Sequence, residues 1–311
     1  MLKYIKTGDI MKNKKSLFGS SILLIAAIIW GSTFVAQSKG MNFLGPFSFN
    51  GIRCIIAVIF LSLVLLVVIL ANRKNKDFKL YNNKKAIIWS IFCGIALMFS
   101  TSTQQIGISM TSVGKSGFIT SLYIILVPIV GLFIKKKVPV KIWFCVLVVL
   151  VGLYLLCFKG SLKIETGDIF LLLSALGFAV QILIVDTISD DINPIFLSII
   201  QIGVVAILSL IPIFSYEKPT FENTINAMPY LLYAAILSSG IAYTFQIIGQ
   251  KYTNHVVSSL IMSLESVFAA LTGWLVLNEQ LSTNETIGCL LIFIAIIIAQ
   301  IEFKRKRPVN E

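Results

Sequence analysis

The sequence is poor in charged residues, and this shortage excludes most classes of soluble protein. Of its 311 residues, 13% are charged and 57% are hydrophobic, whereas about a quarter of a soluble domain is charged. A soluble chain of this length could not bury so much apolar surface, even as two domains. We therefore exclude a soluble enzyme, a disordered chain and a nucleic-acid-binding protein, despite the formal net charge of +12.

The residues that build metal, redox and nucleotide sites are also scarce. His255 is the single histidine, and the five cysteines lie in apolar runs without a C-x-x-C pair. Metal sites need several such ligands. The sequence contains no G-x-x-x-x-G-K-[ST] phosphate-binding loop and no G-x-S-x-G nucleophile elbow. We therefore expect no metal, no cofactor, no catalytic residue and no ATP-driven transport by this chain.

Long apolar runs are what the sequence has in abundance. A helix that crosses a bilayer needs about 20 mainly apolar residues. The first run is too long for a signal peptide and lacks a cleavage pattern, so we predict a retained helix. We predict an all-α polytopic membrane protein with ten spans, at 17–36, 46–71, 86–106, 111–134, 142–158, 167–187, 194–214, 228–250, 254–277 and 284–302.

The basic residues are distributed unevenly between the two sides of these spans. If segment 1–16 is cytoplasmic, 20 Lys and Arg lie on that side and five on the other. Such an excess marks the cytoplasmic side. We therefore predict that both termini, including the basic tail 303–311, are cytoplasmic. The expected location is the plasma membrane of a cell, namely a bacterial inner membrane.

The chain repeats itself at two nearly constant offsets. Residues 19–53 align with 167–201 at an offset of 148, and 104–131 align with 246–273 at an offset of 142. Each copy holds five spans, and because five is odd, the second copy must enter the membrane from the opposite side. We predict two inverted repeats, 17–158 and 167–302, joined by loop 159–166. This arrangement is typical of secondary transporters with substrate bound at the midplane.

Short motifs in these repeats resemble the drug/metabolite transporter superfamily, EamA type. They are W-G-S-T-F at 30–34, Pro46 followed by Arg53, Gly167 with Asp168, S-L-E-S-V-F-A-A at 263–270, and L-N-E-Q-L at 277–281. The resemblance implies ten helices, a central cavity lined mainly by spans 1, 3, 4, 6, 8 and 9, and export of amino acids or drugs. One departure is Lys137, where the family usually has an acid like its counterpart Glu279.

Three of the ionisable residues within predicted spans are candidates for function, because a charge there is costly and marks function or a specific pairing. Glu265 lies near the middle of span 9 and is our candidate for proton coupling, although a hydrogen-bonded structural carboxyl is an alternative. For Arg53 we favour a structural or gating role over substrate contact. Lys115, near the outer end of span 4, either reaches the interface or attracts an anion. Pro128 should kink span 4 and make it differ from span 9.

Buried amides and aromatic residues complete the candidate cavity. Gln104 and Gln246 are repeat counterparts, and they either line the cavity or bridge the two copies. Tyr123 is the counterpart of Glu265, so both should face one cavity. Phe178 and Trp274 are further stacking candidates. The candidate substrate-binding residues are Trp30, Thr33, Gln104, Tyr123, Gln181, Tyr243, Gln246 and Glu265.

These features favour a secondary active transporter, most simply an exporter of small metabolites that works by alternating access. A lipid flippase or an importer of the same fold is the alternative, and an intramembrane enzyme fits worst because paired midplane acids are missing. The expected partners are a small-molecule substrate, the lipid bilayer and, as a candidate coupling ion, the proton. The sequence leaves substrate identity, direction and oligomeric state open.

Overall fold

The computed structural model describes residues 7–75, 78–135, 138–157, 165–277 and 282–300. Lys137, Glu279, the tail 303–311 and most of loop 159–166 lie outside these ranges. The described part is helical apart from its connections and one isolated bridge between Tyr81 and Ile192.

Thirteen α-helices occur within the described ranges. They are α1 Thr7–Gly40, α2 Pro46–Ala71, α3 Lys84–Met110, α4 Val113–Ser121, α5 Tyr123–Phe133, α6 Val140–Cys157, α7 Thr166–Ile188, α8 Pro194–Pro212, α9 Phe221–Tyr233, α10 Tyr243–Tyr252, α11 His255–Met262, α12 Glu265–Leu277 and α13 Thr283–Gln300. Two π-helical segments, Ile213–Glu217 and Ala234–Ala242, follow α8 and join α9 to α10.

Ten apolar helical segments emerge from these elements. Eight helical stretches of the described chain are long and apolar enough to cross a membrane, and Val140–Leu155 and Thr286–Ala299 are shorter apolar helices. The ten segments occur where the sequence predicts ten spans, so the all-α polytopic class is confirmed. Large apolar side chains such as Val67, Leu147 and Ile297 are more than half exposed, as expected of a lipid-facing surface.

The two repeats pack against each other through equivalent contacts. Span 1 (α1) lies against span 8 (α10), and span 6 (α7) lies against span 3 (α3). A Cβ atom added at Gly249 would stand 2.5 Å from Leu23 Cγ and 3.0 Å from the Gly19 oxygen. A Cβ atom added at its counterpart Gly107 would meet the Leu171 Cγ and Gly167 oxygen at the same distances. Small residues allow this close approach of helices.

Spans 4 and 9 are each divided into two helices at counterpart positions. The amide of Leu122 donates to the Ile119 carbonyl at 3.2 Å, and the amide of Leu264 donates to the Ile261 carbonyl at 3.1 Å. These three-residue turns tighten the helix at the break. Ser121 Oγ donates to the carbonyl of its own counterpart, Ser263, at 3.5 Å, which places the two breaks beside the pseudo-two-fold axis.

The kink expected at Pro128 stays a prediction, and the interruption of span 4 lies elsewhere. Helix α5 continues through Pro128, and span 4 is interrupted earlier, at Leu122. Span 9 is interrupted at the equivalent Leu264 although it has Ala270 in place of the proline. The breaks therefore follow the turns that the two copies share, and they do not follow the proline.

The second span of each copy begins in the same way, at a proline, but different side chains accept hydrogen bonds from the first amides of the two helices. Both α2 and α8 begin at a proline, which suits the first turn because its missing N–H would be unpaired there. The Asn193 side chain caps α8 from within its own sequence. For α2, the carboxylate of Glu217 from the other copy accepts from the Phe47 and Ser48 amides at 3.0 and 2.6 Å. A negative group at a helix N-terminus is favourable.

Candidate functional site

A cavity that is partly open to its surroundings lies between the two repeats. It receives residues from spans 1, 2, 3, 4, 6, 8 and 9, which are the six spans that the family resemblance implies and span 2 in addition. Its lining consists of Trp30, Phe34, Gln37, Arg53, Gln104, Tyr123, Phe178, Gln181, Ile182, Ser238, Tyr243, Gln246, Met262 and Glu265.

The structure brings seven of the eight candidate substrate-binding residues to this lining. Thr33 is the exception, because its buried hydroxyl donates to the Ile29 carbonyl one turn back at 2.6 Å. Trp274 is 46% exposed and lies apart from the cavity. Gln37 is a lining residue that the sequence reasoning missed. A helical-face pattern could have found it, since Gln37 follows Trp30 by two turns on the same face.

Aromatic rings form much of the wall. Trp30 and Tyr243 make an edge-to-face pair with ring centroids 5.1 Å apart, and Tyr123 and Phe178 make another at 6.5 Å. Edge-to-face packing is a favourable geometry for aromatic rings. Trp30 Nε1 is buried without a hydrogen-bond partner among the described residues, so the wall also offers a donor to a bound molecule.

Glu265 and its repeat counterpart Tyr123 lie next to each other in the cavity lining. Both side chains are almost fully buried, at 5% and 3% exposure, and the Tyr123 hydroxyl lies beside the carboxyl group. The Tyr123 hydroxyl and Glu265 Oε1 nevertheless complete no hydrogen bond of good geometry within the described part of the chain. A buried acid with an unsatisfied oxygen can hold a proton or accept a hydrogen bond from a ligand.

Arg53 enters the lining from span 2. Its Nε and Nη2 atoms donate to Asn50 Oδ1 at 3.1 and 2.9 Å, and its side chain lies 5.9 Å from the centre of the Phe49 ring. Asn50 is held in turn by a hydrogen bond from its Nδ2 to Thr101 Oγ1 at 2.9 Å. Arg53 is 3% exposed, so the guanidinium is a buried charge at the cavity.

Gln104 and Gln246, the amides at counterpart positions, each bond within their own copy. Gln181 and Gln246 exchange two hydrogen bonds, at 3.3 and 2.9 Å, and Gln181 also donates to Gln201 at 3.1 Å. Gln104 instead donates to Thr120 at 3.4 Å. The prediction that Gln104 and Gln246 bridge the two copies is therefore wrong, because each amide finds a partner in its own repeat; both still line the cavity.

An ion pair at one end of span 6 and a histidine–carboxylate contact near the other end tie this span to spans 4 and 9. At the start of α7, Lys115 pairs with Asp168 at 2.8 Å and with Glu165 at 3.4 Å. Towards the other end of α7, His255 Nδ1 lies 3.5 Å from Asp186 Oδ2. Lys115 and His255 belong to the first turns of α4 and α11, the first halves of the two broken spans, and Lys115 does not line the cavity.

The chain is similar to known transporters along nearly its whole length. It is 32% identical over 301 residues to an uncharacterized transporter of Archaeoglobus fulgidus, covering 96% of this chain and 91% of that protein. It is 26% identical over 293 residues to the uncharacterized transporter YoaV of Bacillus subtilis, covering 92% and 97%.

A crystal structure shares the fold, with a TM-score of 0.70 at 16% identity over 90% of this chain and 96% of that one. The model of the EamA-like transporter family matches residues 17–158 and 165–300. With a central cavity between two five-span repeats and a family match over both of them, the chain belongs to the EamA-like transporter family.

Proposed function

We propose that this transporter is a secondary active exporter of small amphipathic metabolites, such as amino acids or drugs, and that it works by alternating access. The observation that carries the proposal is the cavity between the repeats, because its lining mixes aromatic, amide and ionisable side chains from both copies. A site of this composition suits a ligand with an apolar body and a few polar groups.

The equivalent packing of the two copies supports the alternating-access mechanism. Two inverted units with the same glycine contacts and the same helix breaks can exchange conformations, so that a cavity open to one side becomes open to the other. Spans 4 and 9 are the elements that we expect to move, since a helix divided beside the axis can bend at its break. The Lys115–Asp168 ion pair and the His255–Asp186 contact hold the first turns of these two spans to α7.

Proton coupling is assigned to Glu265 in this proposal. The carboxyl group lies in the cavity, is 5% exposed, and has an oxygen without a hydrogen bond among the described residues. Protonation and substrate binding at one buried group exclude each other, and this competition couples the two fluxes. The export direction is proposed from the family resemblance, and the excess of Lys and Arg on one side of the spans favours cytoplasmic termini in a bacterial cell.

Transport by the purified protein in liposomes tests the proposal. Vesicles without ATP are loaded with labelled amino acids or amphipathic drugs, and a pH gradient is imposed across the membrane. We expect solute to cross the membrane with the protein and not in protein-free vesicles. Movement of labelled phospholipid without movement of any solute would contradict the proposal and support a flippase.

A further inference from the structure

We propose that Arg53 is the anion-binding group of the central cavity, and that the transported molecule carries a carboxylate that pairs with its guanidinium. This inference rests on the proposed function, because it names the substrate class of the same cavity. It also changes the role that the sequence suggested for Arg53, from structure or gating to substrate binding.

The first observation is a buried cation without an anion. An arginine side chain has five N–H donors, and Arg53 directs one from Nε and one from Nη2 to the amide oxygen of Asn50, which is neutral. Cys54 and Tyr243, whose side chains lie near the guanidinium, are also neutral groups. No carboxylate in the described ranges forms an ion pair with Arg53. A buried charge without a counter-ion is strongly unfavourable, so an external anion would stabilise this site.

The second observation is that the guanidinium is held in position. Asn50 accepts from Arg53 on the same helix, and its own amide nitrogen donates to Thr101 of span 3. The Thr101 hydroxyl donates to the Leu97 carbonyl at 2.8 Å. This chain of hydrogen bonds fixes the acceptor and therefore the direction of the guanidinium. A group that is fixed before binding loses less entropy when a ligand arrives.

The third observation comes from the second repeat. The counterpart of Arg53 is Gln201, a neutral residue that bonds to Gln181 and Cys93 and does not line the cavity. Spans 2 and 7 nevertheless pack against each other in the same fold. A neutral amide therefore satisfies the helix packing at this position. The charge of Arg53 therefore has a role besides packing, and the second copy does not share that role.

Carboxylate is the anion that fits best. Arginine binds carboxylates through two parallel hydrogen bonds. A doubly charged phosphate would favour more cations, and Arg53 is the only basic residue in the lining that the structure describes. The neighbouring Trp30–Tyr243 pair offers an apolar face for the rest of the molecule. The expected ligand is a single carboxylate on an aromatic or apolar body, either a simple organic acid or an amino acid.

Four related probes test the inference with the full-length protein. Phenylalanine carries a carboxylate and an amine, 3-phenylpropionate only the carboxylate, and phenethylamine and phenylalanine methyl ester only the amine. Binding to the purified protein is measured by calorimetry, and flux is measured in liposomes. We expect wild-type protein to bind one or both carboxylates at least about tenfold more tightly than the ester and the amine. The 3-phenylpropionate result distinguishes an organic acid from an amino acid as the ligand.

Two variants of Arg53 and one control sharpen the result. Arg53→Gln introduces the residue of the second copy and should weaken carboxylate binding about tenfold to a hundredfold, with ester and amine binding unchanged. Arg53→Lys keeps the charge and should lose part of the affinity, because one ammonium cannot reproduce the two parallel bonds. Lys251→Gln removes a cation that pairs with the exposed Asp190 outside the cavity. It should leave carboxylate binding as in wild type.

Distinct outcomes separate the inference from the proposed function. Solute flux without preference for a carboxylate, or equal loss of carboxylate and ester binding in Arg53→Gln, would overturn the role of Arg53 and leave the transporter standing. Carboxylate binding that Arg53→Gln abolishes, without flux of any solute in wild type, would support the site and reject transport of these compounds. If Arg53→Gln fails to fold, two other results decide the inference. They are the loss of carboxylate affinity in Arg53→Lys and the preference of the wild-type protein for carboxylates over the ester and the amine.

Discussion

The two repeats have the same frame and different cavity chemistry. The contacts of Gly107 and Gly249, the breaks at Leu122 and Leu264 and the proline helix starts recur in both copies. At the cavity the counterparts diverge. Arg53 of the first copy corresponds to the neutral Gln201 of the second, and Glu265 of the second corresponds to the neutral Tyr123 of the first.

This difference separates two physical requirements. A frame that alternates between two conformations needs equivalent packing in both copies, since each copy must adopt the arrangement of the other. A binding site needs no such equivalence, because a small asymmetric molecule presents its acid, base and apolar parts in one arrangement. The first copy contributes Arg53 to the cavity lining, and the second contributes Glu265.

The largest expected effect is on the carboxyl group that only the second copy has. Glu265→Gln should reduce proton-driven transport by about tenfold or more and remove its pH dependence, because the buried group can no longer exchange a proton. Its matched control is Tyr123→Phe, which should lower the rate by only a few fold and keep the pH profile. Flux measured over a range of pH in liposomes checks both, and full pH dependence in Glu265→Gln would reject proton coupling through this residue.

The next effect tests the shared frame. Gly107→Ala and Gly249→Ala each place a Cβ atom 2.5 Å from a leucine Cγ and 3.0 Å from a backbone oxygen, so each should destabilise the protein by about 1–3 kcal/mol. Thermal unfolding in detergent, followed by tryptophan fluorescence, should show similar losses for the two variants. Gly114→Ala is the control, because nothing lies within 4 Å of its added Cβ atom. Clearly unequal losses of thermal stability in the two glycine variants would contradict the equivalent packing of the two copies.

A smaller effect is expected at the Lys115 end of α7. Lys115→Gln leaves the carboxylate of Asp168, which is 7% exposed, without its partner at 2.8 Å. The pair is partly buried, so its loss should cost about 1–2 kcal/mol and favour opening at this end. Accessibility of a cysteine introduced at Ser112 to a thiol reagent, in a background without the native cysteines, measures that opening. An unchanged labelling rate would show that the pair does not hold this end closed.

The smallest effect is expected at Lys251. Its partner Asp190 lies 3.5 Å away and is 80% exposed. Exposed ion pairs contribute about 0–1 kcal/mol to the free energy of unfolding. Lys251→Gln should therefore change neither thermal stability nor flux measurably. Comparison with Lys115→Gln under the same conditions ranks the two ion pairs, and a larger loss for Lys251→Gln would reverse the ranking that burial predicts.

Much of the fold could be predicted because it depends on periodicities that the chain carries openly. Ten apolar runs and two alignment offsets are enough to predict the fold class and the repeats. In lipid, a helix satisfies all of its backbone hydrogen bonds within one segment. The cavity residues were harder. Trp30 and Glu265 are recognisable because such residues are rare in spans, whereas Gln37 and the position of Thr33 depend on helix rotation, which the sequence does not specify.

The sequence by itself determined that the chain is a ten-span protein of two inverted repeats, because hydropathy and self-similarity are local properties that survive without knowledge of contacts. Only the tertiary structure decided which amides pair, where spans 4 and 9 break, and that Arg53 enters the cavity without an ionic partner among the described residues. These outcomes depend on distances between residues far apart in the chain. A buried polar group takes whichever partner the packed helices bring within reach.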